Sequence, residues 1–440
     1  MIRLALLAAV AFCNASAKSD AHFSDAATYP VTDFGAVADD GEPDTAAIND
    51  AIRAAHEADG GRVVLGPGAW ESGRIVLRSG VTLDVQEGAT LRFSDDPADY
   101  PAEEVRWEGV EIMGISPLIF ARGATDIAIV GGGTIDGSGE WWWAQHERGW
   151  GSDEPVSDLE RKYAELNADR PHRGRGWMLP RPTLVGIYES EDVLLEDVTF
   201  RDSPFWTVHT VYCDGVTVRG VTVLAPYESP NTDGIDIDST RNVVIEDSTF
   251  DTGDDCIAIK SGWNEDGRRV NRPSEDIIIR RCTFRNGRGG VVIGSETAGS
   301  VRRVLAEDCT FDGTLRGLRI KSARGRGGAI EAITLRRATM TDIPDAAINI
   351  DMFYGGGSPE PQPVGAWTPT CRDITVQDVT IDGAVNGVAI RGLPERPIEG
   401  LDLLRVRIGA SEKPFEMEHV TGVALDGVDV VARNANDARD

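Results

Sequence analysis

The sequence is short of several residue types, and each shortage closes off a class of function. Only five of the 44 basic side chains are lysine (Lys18, Lys162, Lys260, Lys321 and Lys413), against 72 acidic ones, for a formal charge of −28. A chain this acidic lacks the basic footprint that phosphate backbones require, so no nucleic-acid partner is expected. Six histidines and six cysteines are scattered over 440 residues. None of them has metal-ligand spacing, so no metal and no other cofactor is expected. Outside the N-terminal leader the cysteines are Cys213, Cys256, Cys282, Cys309 and Cys371, a sparse and odd set that is not a disulfide framework. Past the leader no stretch is apolar for long enough to cross a bilayer, so no membrane partner is expected.

The leader itself has Arg3, the apolar run Leu4–Phe12 and the small-residue site Ala15-Ser16-Ala17. That is the pattern of an export signal, so residues 1–17 are expected to be removed and the protein to work in the periplasm or outside the cell. Residues 433–440 read as a polar tail.

What the sequence does contain is a repeat. Glu196-Asp-Val-Thr-Phe200 recurs as Glu246-Asp-Ser-Thr-Phe250, Arg281-Cys-Thr-Phe284 and Asp308-Cys-Thr-Phe311, with weaker copies ending at Val223, Met340, Ile381, Ile408 and Val430. Alternation puts Val198 with Phe200, and Cys282 with Phe284, on one buried face. Propeller blades need about 40 residues each, longer than most of these intervals. Short β-rich blocks at this period predict an all-β, single-domain, right-handed parallel β-helix, a solenoid over residues 28–432. A short amphipathic helix near Asp44–His56, within an N-terminal cap region 28–92, would cover the open end of its core. Loop insertions at 141–182, with a helix near Ser157–Asn167, and at 262–273 break the rhythm. Long loops on a rigid scaffold are where binding sites sit.

Four segments then fall on successive coils: Asn231-Thr-Asp233, Asp254-Asp255, Gly287-Arg-Gly289 and Arg319-Ile-Lys321. Alternation buries Leu318 and Ile320 and leaves Arg319 and Lys321 together on the outer face. Ala258 and Lys260 share the corresponding face one strand earlier. Asp-Gly and Asn-Thr-Asp are ordinary turn chemistry, and an Asp pair in so acidic a chain means little alone. Their joint occurrence at coil spacing, with two of the five lysines, lifts them above that. Asp233, Asp254 and Asp255 are the candidate catalytic residues: one carboxyl can protonate a leaving oxygen while another activates water. Clustered carboxyls cannot all ionise cheaply, so one pKa should be raised. Neighbouring cations would hold the carboxylates of an anionic polymer.

These motifs resemble glycoside hydrolase family 28, the polygalacturonase family. The resemblance is carried by Asn231-Thr232-Asp233-Gly234, Asp251-Thr-Gly-Asp254-Asp255-Cys256 and Arg319-Ile320-Lys321, with Tyr354 following. It extends from Asp33-Phe34-Gly35-Ala36 through Ile135-Asp136-Gly137 and Ser203-Pro-Phe-Trp206 to about residue 430. One departure stands out, because the family's Gly-His-Gly is Gly287-Arg288-Gly289 here. Arginine cannot relay a proton at neutral pH but can bind a carboxylate. The resemblance implies inverting hydrolysis of α-1,4-galacturonosidic linkages, with Asp254 as general acid and Asp233 and Asp255 activating water. Arg319 and Lys321 would hold a galacturonate carboxylate and Tyr354 would line a sugar subsite. Asn231, Arg288 and Lys260 complete the candidate substrate-binding set.

The expected partner is an anionic pectic polysaccharide or oligosaccharide, bound by a monomer. Loops that wall off the groove would favour exo action. Alternatives are a hydrolase of rhamnogalacturonan or substituted galacturonan, a polysaccharide lyase, and a non-catalytic polysaccharide-binding β-helix. Two arginine clusters, Arg170, Arg173 and Arg175 with His172, and Arg268, Arg269 and Arg272, are candidate clamps or groove closures. Trp141-Trp142-Trp143 reads as an anchor for the large insertion, with sugar stacking as the alternative. His209 reads as structural, and Cys282 with Cys309 as a buried thiol stack.

Overall fold

The computed structural model describes residues 27–170 and 179–432. The leader, the polar tail, and His172, Arg173 and Arg175 lie outside the described residues. Successive coils each lay down short strands that pair in parallel with the next coil, giving three ladders along one axis. The first runs from Thr28–Pro30 and Gly61–Leu65 to Val420–Asp426, and the second from Gly68–Ser72 to Asp429–Ala432. The third starts at Ile75–Val76 and ends in Ile398–Glu418. In the late coils the corners straighten, so Ala329–Asp351 and Thr370–Arg391 each pass through all three ladders. The fold is a right-handed parallel β-helix, the hand that parallel crossovers take.

The repeat in the sequence is the register of the second ladder. Phe200 pairs with Val223, then Phe250, Phe284, Phe311, Met340, Ile381, Ile408 and Val430 in turn. The row continues backwards through Ile135 and Leu91 to Trp70. From Trp70 to Ile408 no member is more than 2% exposed. Rungs lie about 4.8 Å apart, so like side chains meet like. Phe250, Phe284 and Phe311 stack with ring centroids 5.6 and 4.9 Å apart. The helix Thr45–Glu57 closes the N-terminal end, burying Ile48, Ala51, Ile52 and Ala55 completely. All five cysteines outside the leader are buried and free. Cys282 and Cys309 lie on adjacent rungs, each directing its thiol to a backbone carbonyl.

Three features stand on this scaffold. Ser157 caps the helix Asp158–Leu166, its hydroxyl accepting from the Glu160 amide at 3.1 Å. The same insertion begins with an additional helix, Glu140–Gly149. Trp142 anchors it, fully buried against Tyr100, while Trp143 donates to the Ser203 carbonyl. The tryptophan cluster is therefore the anchor. The third feature is the antiparallel hairpin Ala102–Trp107/Val110–Ile115, which the sequence reading does not anticipate. Its signal is two alternating segments around Glu108-Gly109, both left-handed at φ 46° and 81°.

The hairpin packs Val105, Val110 and Ile112 onto Phe120, Tyr188 and Val211, on the outer face of the third ladder. Arg106 ties it down through a buried ion pair with Asp238 at 3.0 Å. The helix Asn264–Val270 braces it from the other insertion, through Arg269 to Glu111 at 2.7 Å. Here the expectation of an arginine clamp fails for Arg268, Arg269 and Arg272. Arg268 donates to the Gly325 and Arg326 carbonyls, and Arg272 lies over the Tyr212 ring at 4.8 Å. Arg170 likewise pairs with Glu104. These arginines hold loops to loops.

Phe284→Ala is expected to destabilise by about 3–5 kcal/mol, as removal of a fully packed ring does. Val430→Ala at the exposed end of the same row should cost no more than about 0.5 kcal/mol. Urea unfolding followed by tryptophan fluorescence distinguishes them, and equal losses would show that the row does not carry the core.

Candidate functional site

The site is the outer face of the third ladder. Ile235, Ile257 and Val291 stack inward, as do Ile237, Ile259 and Ile293, and then Leu318 and Ile320. Alternation therefore turns Asp236, Asp238, Lys260, Arg319 and Lys321 outward. Asp233, Asp254 and Arg288 come from the turns that lead into these strands, and the turns nest. The Thr232 hydroxyl accepts from the Gly253 amide at 3.2 Å, and Asn231 takes the left-handed conformation at φ 54°. A Cβ on Gly253 would lie 2.4 Å from the Ser229 carbonyl oxygen, and one on Gly287 2.7 Å from that of Asp254. Glycine is needed at both positions for one turn to sit against the next.

All nine residues nominated from sequence line one cleft of about 480 Å³: Asn231, Asp233, Asp254, Asp255, Lys260, Arg288, Arg319, Lys321 and Tyr354. Carboxylate oxygens of Asp233, Asp254 and Asp255 lie within 4.8 Å of one another. Their surroundings differ. Asp255 is buried, which alone would raise its pKa, but the Lys321 ammonium at 2.6 Å and the Arg319 guanidinium at 3.6 Å win and hold it below the usual carboxylate range. Burial and then the Asp255 charge push Asp254 up. Asp254 is the half-buried member of the three and has no ion-pair partner among the described residues. Burial and the Asp236 charge raise Asp233 well above its ordinary value, against the pull of Lys260. The three titrate together, with fewer than three charges between them.

Lys260 explains part of that balance. Its ammonium lies 3.5 Å from Asp233, 3.2 Å from Asp236 and 3.5 Å from Glu296, over the Trp206 ring at 4.1 Å. The sequence offers it to substrate, but these internal carboxylates hold it. Asn231 is also engaged, its side-chain oxygen accepting from Arg181 at 2.7 Å. Arg288 is different: it is exposed, lies over the Tyr227 ring at 5.3 Å and has no acidic partner among the described residues. Tyr354 faces both Arg319 and Lys321, at 5.5 and 5.4 Å. Three carboxylates this close could accept a divalent ion, but Lys260, Arg319 and Lys321 stand among them and already offset the charge that would hold one.

Several residues of the cleft are not legible from spacing. His146 and Trp150 reach it from the large insertion and Glu108 from the hairpin turn, while Arg316 enters paired with Asp345. Arg181 lies beneath, donating to the Pro204 and Pro230 carbonyls, and burial lowers its pKa to about 9. His209 is buried 3.7 Å from Asp238, between Tyr188 and Trp206, outside the cleft lining.

Residues 162–427, which contain all nine residues nominated from sequence, match the family described as glycosyl hydrolases family 28. The chain belongs to that family. As a family 28 member it is a glycoside hydrolase, and its relatives agree. It is 31% identical over 408 residues to a probable polygalacturonase of Vitis vinifera, covering 90% of this chain and 77% of that protein. It is 28% identical to an exo-poly-α-D-galacturonosidase of Dickeya chrysanthemi, covering 80% of this chain and 62% of that one. Among solved structures, the exopolygalacturonase of Thermotoga maritima superposes with a TM-score of 0.82 at 29% identity, covering 93% and 92% of the two chains.

The family 28 site also makes a pH-dependent demand on the fold. Burial pushes Asp236 up to about 8, against the pull of Lys260. Folded, it keeps its proton to about pH 8; unfolded, it releases it at the ordinary aspartate value of 3.8. Its contribution to stability is therefore present below pH 4 and is lost as the pH rises to about 8. Asp236→Asn removes this titration, so its melting temperature should gain on the wild type across that window. A gap that stays flat, or moves the other way, would show Asp236 ionised against Lys260.

Proposed function

We propose that this family 28 enzyme hydrolyses α-1,4-galacturonosidic linkages in pectic polysaccharide or oligogalacturonides, from a chain end and with inversion. The observation that carries the chemistry is the division of the Asp cluster. Asp255 is held ionised by Lys321 and Arg319, while Asp254 is raised and open to the cleft. Asp254 gives its proton to the glycosidic oxygen as the C1–O bond breaks. Asp255, with Asp233 nearby, takes a proton from the water whose oxygen bonds to C1. Arg288, Arg319 and Lys321, with Tyr354 beside the last two, offer positive charge to galacturonate carboxylates.

Inverting enzymes usually leave roughly 6.5–9.5 Å between their two carboxyls, and retaining ones about 5–5.5 Å. The nearest oxygens here are within 4.8 Å. Inversion is retained on the family resemblance, with Asp254 raised as the acid and Asp255 held ionised as the base. Proton NMR during hydrolysis should show the β-anomer of the new reducing end first. The α-anomer appearing first would overturn inversion.

Exo action is supported by the hairpin and the insertion helix. The hairpin covers the outer face of the third ladder on the rungs before Asp233, and Glu108, His146 and Trp150 line the cleft from these additions. A cleft walled at one end suits a chain terminus. Polygalacturonate should therefore yield a single small product from the first minutes, with little early loss of viscosity. Asp254→Asn should lower kcat by about 10²–10⁴-fold. Mixed oligomers at early times would overturn the exo assignment.

Arg288, in place of the family histidine, favours a second reading: rhamnogalacturonan or a substituted galacturonan. Turnover confined to rhamnose-containing chains would select it. Export through the Ala15-Ser16-Ala17 site fits a polymeric substrate outside the cell.

A further inference from the structure

The insertion helix Glu140–Gly149 leaves the solenoid between Thr134–Asp136 and Val185–Tyr188, two rungs before the strand that follows Asp233. Trp142 and Trp143 lock it to the coil wall. His146 lies one turn beyond Trp142 and so shares its face. His146 is 8% exposed and lines the catalytic cleft, yet neither ring nitrogen has a hydrogen bond or ion pair among the described residues. The ring nitrogens are not among the solvent-inaccessible unpaired atoms, so they open onto the cleft, where a bound ligand can supply the partner. Trp150, just past the helix end, has the complementary oddity. It lines the same cleft while 59% exposed, with its ring centroid 5.0 Å from that of His146.

We propose that His146 and Trp150 form the subsite for the sugar ring at the closed end of the cleft, Trp150 as a platform for the ring's C–H face and an imidazole nitrogen of His146 as hydrogen-bond partner to a ring hydroxyl. This rests on the exo assignment only for calling that ring the terminal one. An indole offers a large rigid surface to the apolar face of a pyranose, and an imidazole nitrogen fixes the ring's rotation upon it. Recognition here is uncharged. Burial, with the nearby Arg181 charge, lowers the His146 pKa to about 3, so the ring is neutral wherever the Asp cluster works. The charge that acts on it is that of Arg181, and Glu108 lines the same cleft. The candidate cations for sugar carboxylates, Arg288, Arg319 and Lys321, all come from later coils. The cleft thus separates hydroxyl recognition at its closed end from carboxylate recognition beyond the Asp cluster.

The test is steady-state kinetics of the full-length enzyme on digalacturonate and trigalacturonate. His146→Ala and Trp150→Ala should each raise KM about tenfold or more on both substrates, with the larger part of the loss in KM rather than kcat. His146→Gln, which keeps a neutral donor and acceptor, should recover most of the loss, whereas His146→Lys should not. The KM effect of His146→Ala should be the same at pH 5 and pH 7, as a neutral ring requires. An unchanged KM in His146→Ala, or no recovery in His146→Gln at an equal melting temperature, would overturn the proposal. If the alanine variants fail to fold, Trp150→Leu decides it: it should raise KM about tenfold while His146→Gln stays near wild type, and an unchanged KM in Trp150→Leu would overturn the proposal. The product profile of the wild type is a separate readout. Mixed products with a raised KM in His146→Ala would sink exo action and keep the subsite, whereas a single product with an unchanged KM would do the reverse.

Discussion

Every feature of the molecule depends on one constraint: each coil must lie in register on the last. In a parallel ladder a residue's neighbours are the residues one coil before and after it, so a position in the coil is an environment shared by all coils. The row from Trp70 to Ile408 meets this by keeping that position large and apolar. The outer face of the third ladder meets it in the opposite way, by setting acids against bases on successive rungs. Asp238 pairs in register with Lys260, and Lys321 with Asp351. The candidate carboxylates are brought together because the chain returns to the same place one rung later, and no other device is needed.

The same constraint accounts for the composition. At the corner between the first two ladders one residue in each coil is left-handed, including Asp247, Arg281, Asp308, Arg337, Asp378 and Arg405. These fall into pairs across neighbouring coils. Arg281 bonds both oxygens of Asp247 at 2.7 Å, Arg337 bonds those of Asp308 at 2.7 and 2.8 Å, and Arg405 those of Asp378 at 2.5 and 2.8 Å. A second row repeats the pattern with Arg303 on Asp276. Aspartate tolerates left-handed backbone, and the two-pronged guanidinium matches a carboxylate in a way that an ammonium does not. Much of the arginine and aspartate therefore fastens corners, which is why lysine is scarce. Two of the few lysines, Lys260 and Lys321, are the compact cations placed among the carboxylates of the cleft.

Legibility from the sequence follows the same division. The β-helix, its second-ladder register, the capping helix and the helix begun by Ser157 were readable because each is a local pattern or a pattern repeated at coil spacing. The nine residues nominated for the site share one cleft for the same reason, since all come from solenoid turns and strands. His146, Trp150, Glu108 and Arg181 were not readable, because insertions of irregular length bring them in and no period links them to Asp233. The arginine loop at 262–273 misled for a related reason. Charge clusters are visible in sequence, but their partners, Glu111, the Gly325 carbonyl and the Tyr212 ring, are set by how loops pack on one another.

An acidic protein acting on an acidic polymer looks contradictory until charge is followed by location. Burial turns net charge into a local question, because desolvated groups respond to neighbours a few ångströms away and hardly at all to a screened surface. Lys260 among Asp233, Asp236 and Glu296 cannot balance three ionised carboxylates, so protons must remain on some of them. Asp236 takes up that role because it has no exposure and no second cation. With Asp236 neutral, the Lys260 charge is left largely to Asp233 and Glu296, and Lys321 with Arg319 serve Asp255. The site then approaches a charge balance in which Asp254 can hold a proton while Asp255 stays ionised. Arg288, exposed and without an acid of its own, adds positive charge at the mouth where an anionic chain must enter.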